Sequence, residues 1–284
     1  WHSGTVSSVT FSPDGSAIAS GANDRTVFIV DVKSGEKLHS LTSGFGDYEG
    51  VTCVAYSPDG STLASSWEYG TLTLWDVNSD EERTLNYPGV AYAYSSYNNL
   101  AFSPDGTTLL NGSGGNSISL WDVKSGEKLR TIDGFSAAVE IISFFPDGTT
   151  LASASSDNTR IIWDTKSGEK INTGTFYWYS SNPLSLAFPP DTSILASVRN
   201  DLSIVLWDFL SGEELLTLRG HTDHIGSVAF SPDGSTLASG SYNGEIILWN
   251  SENGEKLHTL ARPGGYARTI TFSPDGTTFA SMQT

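Results

Sequence analysis

Short runs of apolar and β-branched residues, such as Val9-Thr10-Phe11 and Val228-Ala229-Phe230, recur along the chain and stop at clusters of turn formers. Each run ends at Pro, whose missing amide hydrogen cannot continue a ladder, and then Asp-Gly, which tolerates turn dihedrals. A short run of the pattern Leu-Ala-Ser follows (Leu63-Ala64-Ser65, Leu151-Ala152-Ser153, Leu237-Ala238-Ser239), then a polar turn, then a β-rich run closing on Trp-Asp. A second hairpin, Lys-Ser-Gly-Glu-Lys at 33–37, 124–128 and 166–170, leads into a fourth run. The pattern predicts a unit of four antiparallel strands.

That unit repeats. Ser12-Pro13-Asp14-Gly15 returns at Ser57-Pro58-Asp59-Gly60, Ser103-Pro104-Asp105-Gly106, Phe145-Pro146-Asp147-Gly148, Pro189-Pro190-Asp191-Thr192, Ser231-Pro232-Asp233-Gly234 and Ser273-Pro274-Asp275-Gly276. The turn aspartates lie 42 to 46 residues apart, a period that belongs to propeller blades and is too long for ankyrin or leucine-rich repeats. Hence the expected fold is all-β: a seven-bladed β-propeller of four-stranded antiparallel blades, forming one domain over residues 1–284. The seventh blade stops after Thr278-Phe279-Ala280-Ser281, two strands short, and the chain opens on Trp1; it reads as a fragment of a longer polypeptide.

Trp75-Asp76, Trp121-Asp122, Trp163-Asp164 and Trp207-Asp208, with Val30-Asp31 and Trp249-Asn250 as variants and Gly220-His221 beside them, make the chain resemble WD-repeat propellers. The resemblance implies a bracing network of His, Ser or Thr, Asp and Trp in each blade. No blade carries all four. The first has His2, Ser20 and Asp24 but Val30 for Trp; the fourth has Ser153, Asp157 and Trp163 but Phe135 for His; the sixth has His221, Ser239 and Trp249 but Asn243 for Asp.

Composition narrows the partner. A formal charge of −17 argues against nucleic acid, which needs a basic stripe. No apolar stretch is long enough to insert in a membrane. The single cysteine, Cys53, suits a cytoplasmic protein and leaves secretion open.

Comparing the repeats locates the variable surface. From turn Asp to Trp-Asp position the spacing is always 17 residues, whereas the remainder of the repeat varies from 25 to 29. In a propeller the variable connections and the turns between second and third strands share the top face; the two regular hairpins share the bottom. Aromatic residues gather in the top segments, and the expected ligand-binding set is Tyr48, Trp67, Tyr69, Tyr92, Tyr94, Phe135, Tyr177, Trp178, Tyr179, Arg199, Tyr242 and Tyr266. Part of this set is expected to plug the wedges between blades instead. Arg25, Arg160, Arg199, Arg262 and Arg268 are the top-side cations, whereas every lysine lies in a bottom hairpin. Arginine stacks on rings and grips carboxylates, which suits an acidic or aromatic peptide.

Catalysis finds little support, because a carboxylate repeated in every blade is architectural. His224 beside Asp223 has no repeat explanation, yet no spacing supplies further metal ligands. Neither a cofactor nor a metal is expected. Asn111-Gly112-Ser113 matches a glycosylation acceptor, a pattern that also arises by chance. The expected function is a non-catalytic scaffold or sensor whose top face binds a protein or peptide, with effector domains fused outside these residues. Two alternatives stand beside it: an extracellular carbohydrate-binding propeller that stacks sugars on Trp and Tyr, and a propeller hydrolase with a central-channel metal.

Overall fold

The computed structural model of the chain describes residues 1–42, 50–68, 70–79, 81–85, 98–113, 116–175, 186–189, 194–261 and 267–283. All regular structure in them is β. The first sheet is ordered β1 (Val6–Phe11), β2 (Ala17–Ala22), β3 (Thr26–Asp31), β4 (Lys37–Thr42). The second holds β5 (Val51–Tyr56), β6 (Thr62–Trp67), β7 (Leu72–Asp76) and β8 (Glu82–Leu85). The third holds β9 (Asn98–Phe102), β10 (Thr108–Ser113), β11 (Ser117–Asp122) and β12 (Lys128–Asp133). The fourth holds β13 (Val139–Phe144), β14 (Thr150–Ser155), β15 (Thr159–Asp164) and β16 (Lys170–Thr175).

The fifth sheet is built from β17 (Leu186–Ala187), β18 (Ile194–Val198), β19 (Ile204–Asp208) and β20 (Glu214–Leu218). The sixth follows with β21 (Ile225–Phe230), β22 (Thr236–Ser241), β23 (Glu245–Asn250) and β24 (Lys256–Ala261). A two-stranded seventh sheet pairs β25 (Ala267–Phe272) with β26 (Phe279–Gln283). The described residues thus give six four-stranded antiparallel sheets and a partial seventh, as the repeat arithmetic required.

Two compact units divide the chain, Trp1–Asp157 with Trp163–Glu169, and Asn158–Ile162 with Lys170–Thr284. In the first, β1 packs beside β5, β5 beside β9 and β9 beside β13; in the second, β17 packs beside β21 and β21 beside β25. Successive first strands are therefore neighbours within each unit, the blade-to-blade arrangement of a propeller.

Both regular turns close on their own side chains. In the first sheet Ser12 Oγ donates to Asp14 Oδ1 at 2.6 Å, the carboxylate accepts the Ser16 N–H at 3.0 Å, and Ala17 N–H returns to Ser12 Oγ at 2.9 Å. The second hairpin uses the aspartate after the Trp position: Asp31 accepts the Ser34 N–H at 2.6 Å, as Asp122 and Asp164 do from Ser125 and Ser167. Those carboxylates are turn caps.

Packing between sheets is apolar. Ala19, Val27, Leu41, Val51, Leu63 and Trp67 form one core cluster between the first two sheets. Ile204, Leu218, Ile225 and Trp249 do the same for the fifth and sixth. Fourth-strand side chains add a latch to the following hairpin: Arg83 donates to Lys124 O at 2.5 Å, and Arg130 to Ser167 O at 2.6 Å and Lys166 O at 2.8 Å.

Candidate functional site

Each four-stranded sheet has two unlike ends. The hairpin end carries the first–second and third–fourth turns; the loop end carries the second–third turn and the connection to the next sheet. At the hairpin end each turn carboxylate is held in place by its own turn. Hydrogen bonds from Ser12, and then from the backbone and side chain of Ser16, hold Asp14 below the usual carboxylate range, and the matching serines do the same to Asp59 and Asp233.

The loop end is individual. In the first sheet His2 Nδ1 lies 3.1 Å from Asp24 Oδ1 and Nε2 lies 2.9 Å from Ser20 Oγ. Burial acts to raise the Asp24 pKa, but bonds from Thr26, His2 and the Ser3 N–H outweigh it and hold the group at about 2. The ring expected from Trp is supplied instead by Phe28, whose centroid is 4.3 Å from that of His2.

In the sixth sheet Trp249 Nε1 donates to Ser239 Oγ at 2.7 Å, and that hydroxyl lies 2.6 Å from His221 Nε2. His221 Nδ1 then lies 3.0 Å from Glu245 Oε2. The absent aspartate is replaced by a glutamate two residues further on. Asn243 keeps the turn, accepting from the Glu245 N–H at 3.0 Å and from Ser241 Oγ at 2.6 Å.

In the second, fourth and fifth sheets the indole N–H of Trp75, Trp163 and Trp207 donates to Ser65, Ser153 and Ser197 at 2.8, 2.8 and 2.7 Å. Phe135 takes the histidine's place in the fourth, its ring centroid 5.3 Å from that of Trp163. The loop-end turn needs a left-handed residue, which Gly70 and Gly244 provide without strain. Arg25, Asn158 and Leu202 adopt φ of 69°, 69° and 65° there, at a cost of roughly 1 kcal/mol each for Arg and Leu.

Six segments of the chain match one family, described as WD domain, G-beta repeat: residues 1–31, 35–76, 92–122, 126–164, 171–208 and 212–250. The chain belongs to the WD-repeat family. No curated protein matches it. Every matched WD segment ends on the residue that caps the third strand, from Asp31 to Asn250. WD-repeat propellers generally mediate protein interactions and are typically non-catalytic scaffolds.

Of the twelve expected WD-face residues, Tyr48, Tyr69, Tyr92, Tyr94, Tyr177, Trp178, Tyr179 and Tyr266 lie outside the described residues. Two others are corrected. Trp67 is 0% exposed and Phe135 7%; both rings fill apolar gaps and present no face to a ligand. Arg199 is half-buried and engaged internally, 2.8 Å from Glu214 Oε2 with its guanidinium 5.3 Å from the Trp207 ring centre. Elsewhere a lysine covers this ring, as Lys128 covers Trp121 and Lys256 covers Trp249; with Glu214 at that register the cation comes from Arg199. Arg160 is also buried, donating to Leu210 O at 2.8 Å and to Phe209 O, which removes it from the top-side cations.

Tyr242 remains at the loop end, half-buried, with its ring 6.4 Å from that of exposed His224. Asn111 is buried inside β10 and is no glycosylation acceptor. Sequence reasoning missed Glu245 and Phe28. Both lie two residues from the expected position, and period-two alternation along a strand, which returns a side chain to the same face, is the signal that finds them.

Proposed function

We propose that this chain is a non-catalytic WD-repeat module that binds a protein or peptide at the loop ends of its sheets. The observation that carries this reading is the contrast between ends. At the hairpin end, turn carboxylates and backbone groups repeat and satisfy one another, leaving little that distinguishes one blade from the next. Every change in repeat length falls in the other half, together with the aromatic residues of the connecting segments. Side chains such as Tyr and Trp are those that anchor interfaces.

The reading includes a cytoplasmic setting, with which a single unpaired cysteine, Cys53, is compatible. To test the site, a displayed random-peptide library is panned on the chain and a selected peptide is titrated against variants. Tyr94→Ala, Trp178→Ala and Tyr242→Ala are each expected to weaken binding about tenfold or more. Lys124→Ala and Lys166→Ala, at the hairpin end, are expected to leave it unchanged. Unchanged binding by all three loop variants, each shown to be folded, rules the reading out.

A further inference from the structure

Two residues before each turn proline six repeats carry Phe, and the second carries Tyr56. Its hydroxyl is buried and has no hydrogen-bond partner among the described residues. An unpaired buried hydroxyl is costly. Tyr56 lines a groove of about 260 Å³ between the first and second sheets, at their hairpin ends. Leu38, Ile29 and Val77 form apolar walls with the ring, and Asp14 and Asp59 stand at the rim.

Leu38 is there because of a bulge. The β3–β4 register slips between Ile29 and Val30, so one residue of β4 faces no partner and Leu38 is left 51% exposed. The same slip exposes Leu129 in the third sheet, at 56%, beside a sister groove of about 300 Å³. That sister has Phe144 where the first has Tyr56, and its charged lining is Arg130 and Lys166. Apolar walls and turn aspartates (Asp105 and Asp147 beside the sister) are shared; Arg130 and Lys166, at the positions of His39 and Asn78, and the hydroxyl are not.

The acidic groove holds charge that is available. Asp14 Oδ1 accepts three hydrogen bonds within its turn, but Oδ2 accepts only that of Ser16 Oγ, and Asp59 repeats this arrangement. Burial, and then the nearby Asp14 charge, push the Tyr56 hydroxyl up to about 12; it stays protonated and faces the same anionic rim.

We propose that this groove binds a short basic peptide segment, one aliphatic side chain entering between Leu38 and Tyr56 while a flanking Arg or Lys pairs with Asp14 and Asp59. The Tyr56 ring closes the groove behind that side chain. The volume suits a single side chain and not a folded partner, and charge complementarity selects the cation. The site is separate from the loop-end surface, and variants there leave it intact.

The test uses the whole chain, labelled with nitrogen-15 and titrated with acetyl-Arg-Leu-Arg-amide. Saturable amide shifts are expected at Leu38, Tyr56, Gly60 and Val77, with acetyl-Glu-Leu-Glu-amide giving none and acetyl-Arg-Ala-Arg-amide binding about tenfold more weakly. Leu38→Asp, a change at an exposed site that leaves the fold in place, abolishes the shifts; Asp59→Asn weakens binding several-fold, and Leu129→Asp does not. Raising the salt weakens the interaction. Absence of saturable shifts at the groove, equal binding of the Arg and Glu peptides, or equal effects of Leu38→Asp and Leu129→Asp would each overturn the proposal.

Discussion

Glu245 places its carboxylate 3.0 Å from Nδ1 of His221, the role Asp24 has for His2 at 3.1 Å. One aspartate both caps the turn and holds the histidine in the first sheet, whereas Asn243 and Glu245 share those tasks in the sixth. Glu245→Ala is therefore expected to cost about 1 to 3 kcal/mol in urea unfolding, because it leaves a buried imidazole N–H unpaired. Adding Asn243→Asp restores the first sheet's arrangement and should recover a large part of that loss. A double variant no more stable than Glu245→Ala shows that the glutamate does not stand in for the aspartate.

The buried network also sets a response to acid. Burial lowers the His221 pKa below its ordinary 6.5, against the opposing pull of Glu245, so the folded chain holds the ring neutral. The unfolded chain binds a proton first as pH falls, so stability from this group is complete above about pH 6.5 and declines below it. Urea midpoints measured from pH 7.5 to 5 should fall, and His221→Gln should flatten that part of the profile. An unaltered slope in the variant assigns the acid sensitivity elsewhere.

Glu140 gives the opposite sign. Burial in β13 pushes its carboxyl up to about 7 from an ordinary 4.5. Its contribution is complete below pH 4.5 and is lost as pH rises through 7, where the folded chain must hold a half-buried charge. Glu140→Gln is expected to stabilise the chain by about 1 kcal/mol at pH 8, allowing for solvent screening, and the gain should vanish near pH 4.5. Thermal melts at the two pH values decide it.

Two glycines with nearly the same backbone angle separate conformation from contact. Gly35 and Gly168 have φ of 72° and 74°. An added Cβ meets nothing within 4 Å at Gly35, but at Gly168 it comes within 3.0 Å of the Arg130 side chain that latches the hairpin. Gly35→Ala should cost about 1 kcal/mol from the left-handed conformation alone, and Gly168→Ala measurably more. In an Arg130→Ala background the two substitutions should converge, and equal costs with Arg130 present show that the latch resists nothing.

Much of this architecture was legible in the residues alone. The β class, the two turn types, the strand count and the family all followed from local rules repeated at a fixed period: proline ends a ladder, Asp-Gly turns, and alternation sets which side chains face inward. Those signals act within a few residues of themselves, so a single chain reading captures them. The bracing sets of the first and sixth sheets were partly legible, because His2, His221 and their serines lie at constant offsets from the turn.

Tertiary structure alone decided the rest. Whether an aromatic residue near a loop meets solvent or fills a gap depends on what packs beside it; Trp67 is buried in a cluster shared with the preceding sheet, and Phe135 against Trp163 at the far end of its own repeat. Arg199 is engaged because Glu214, 15 residues on in the same sheet, replaces a lysine across the ladder. The groove beside Tyr56 exists because a bulge in one sheet opens toward the turn of the next. Local sequence sets the shape of each blade, while exposure, charge pairing and cavities arise between strands and turns that only the fold brings together, where no short-range rule reaches.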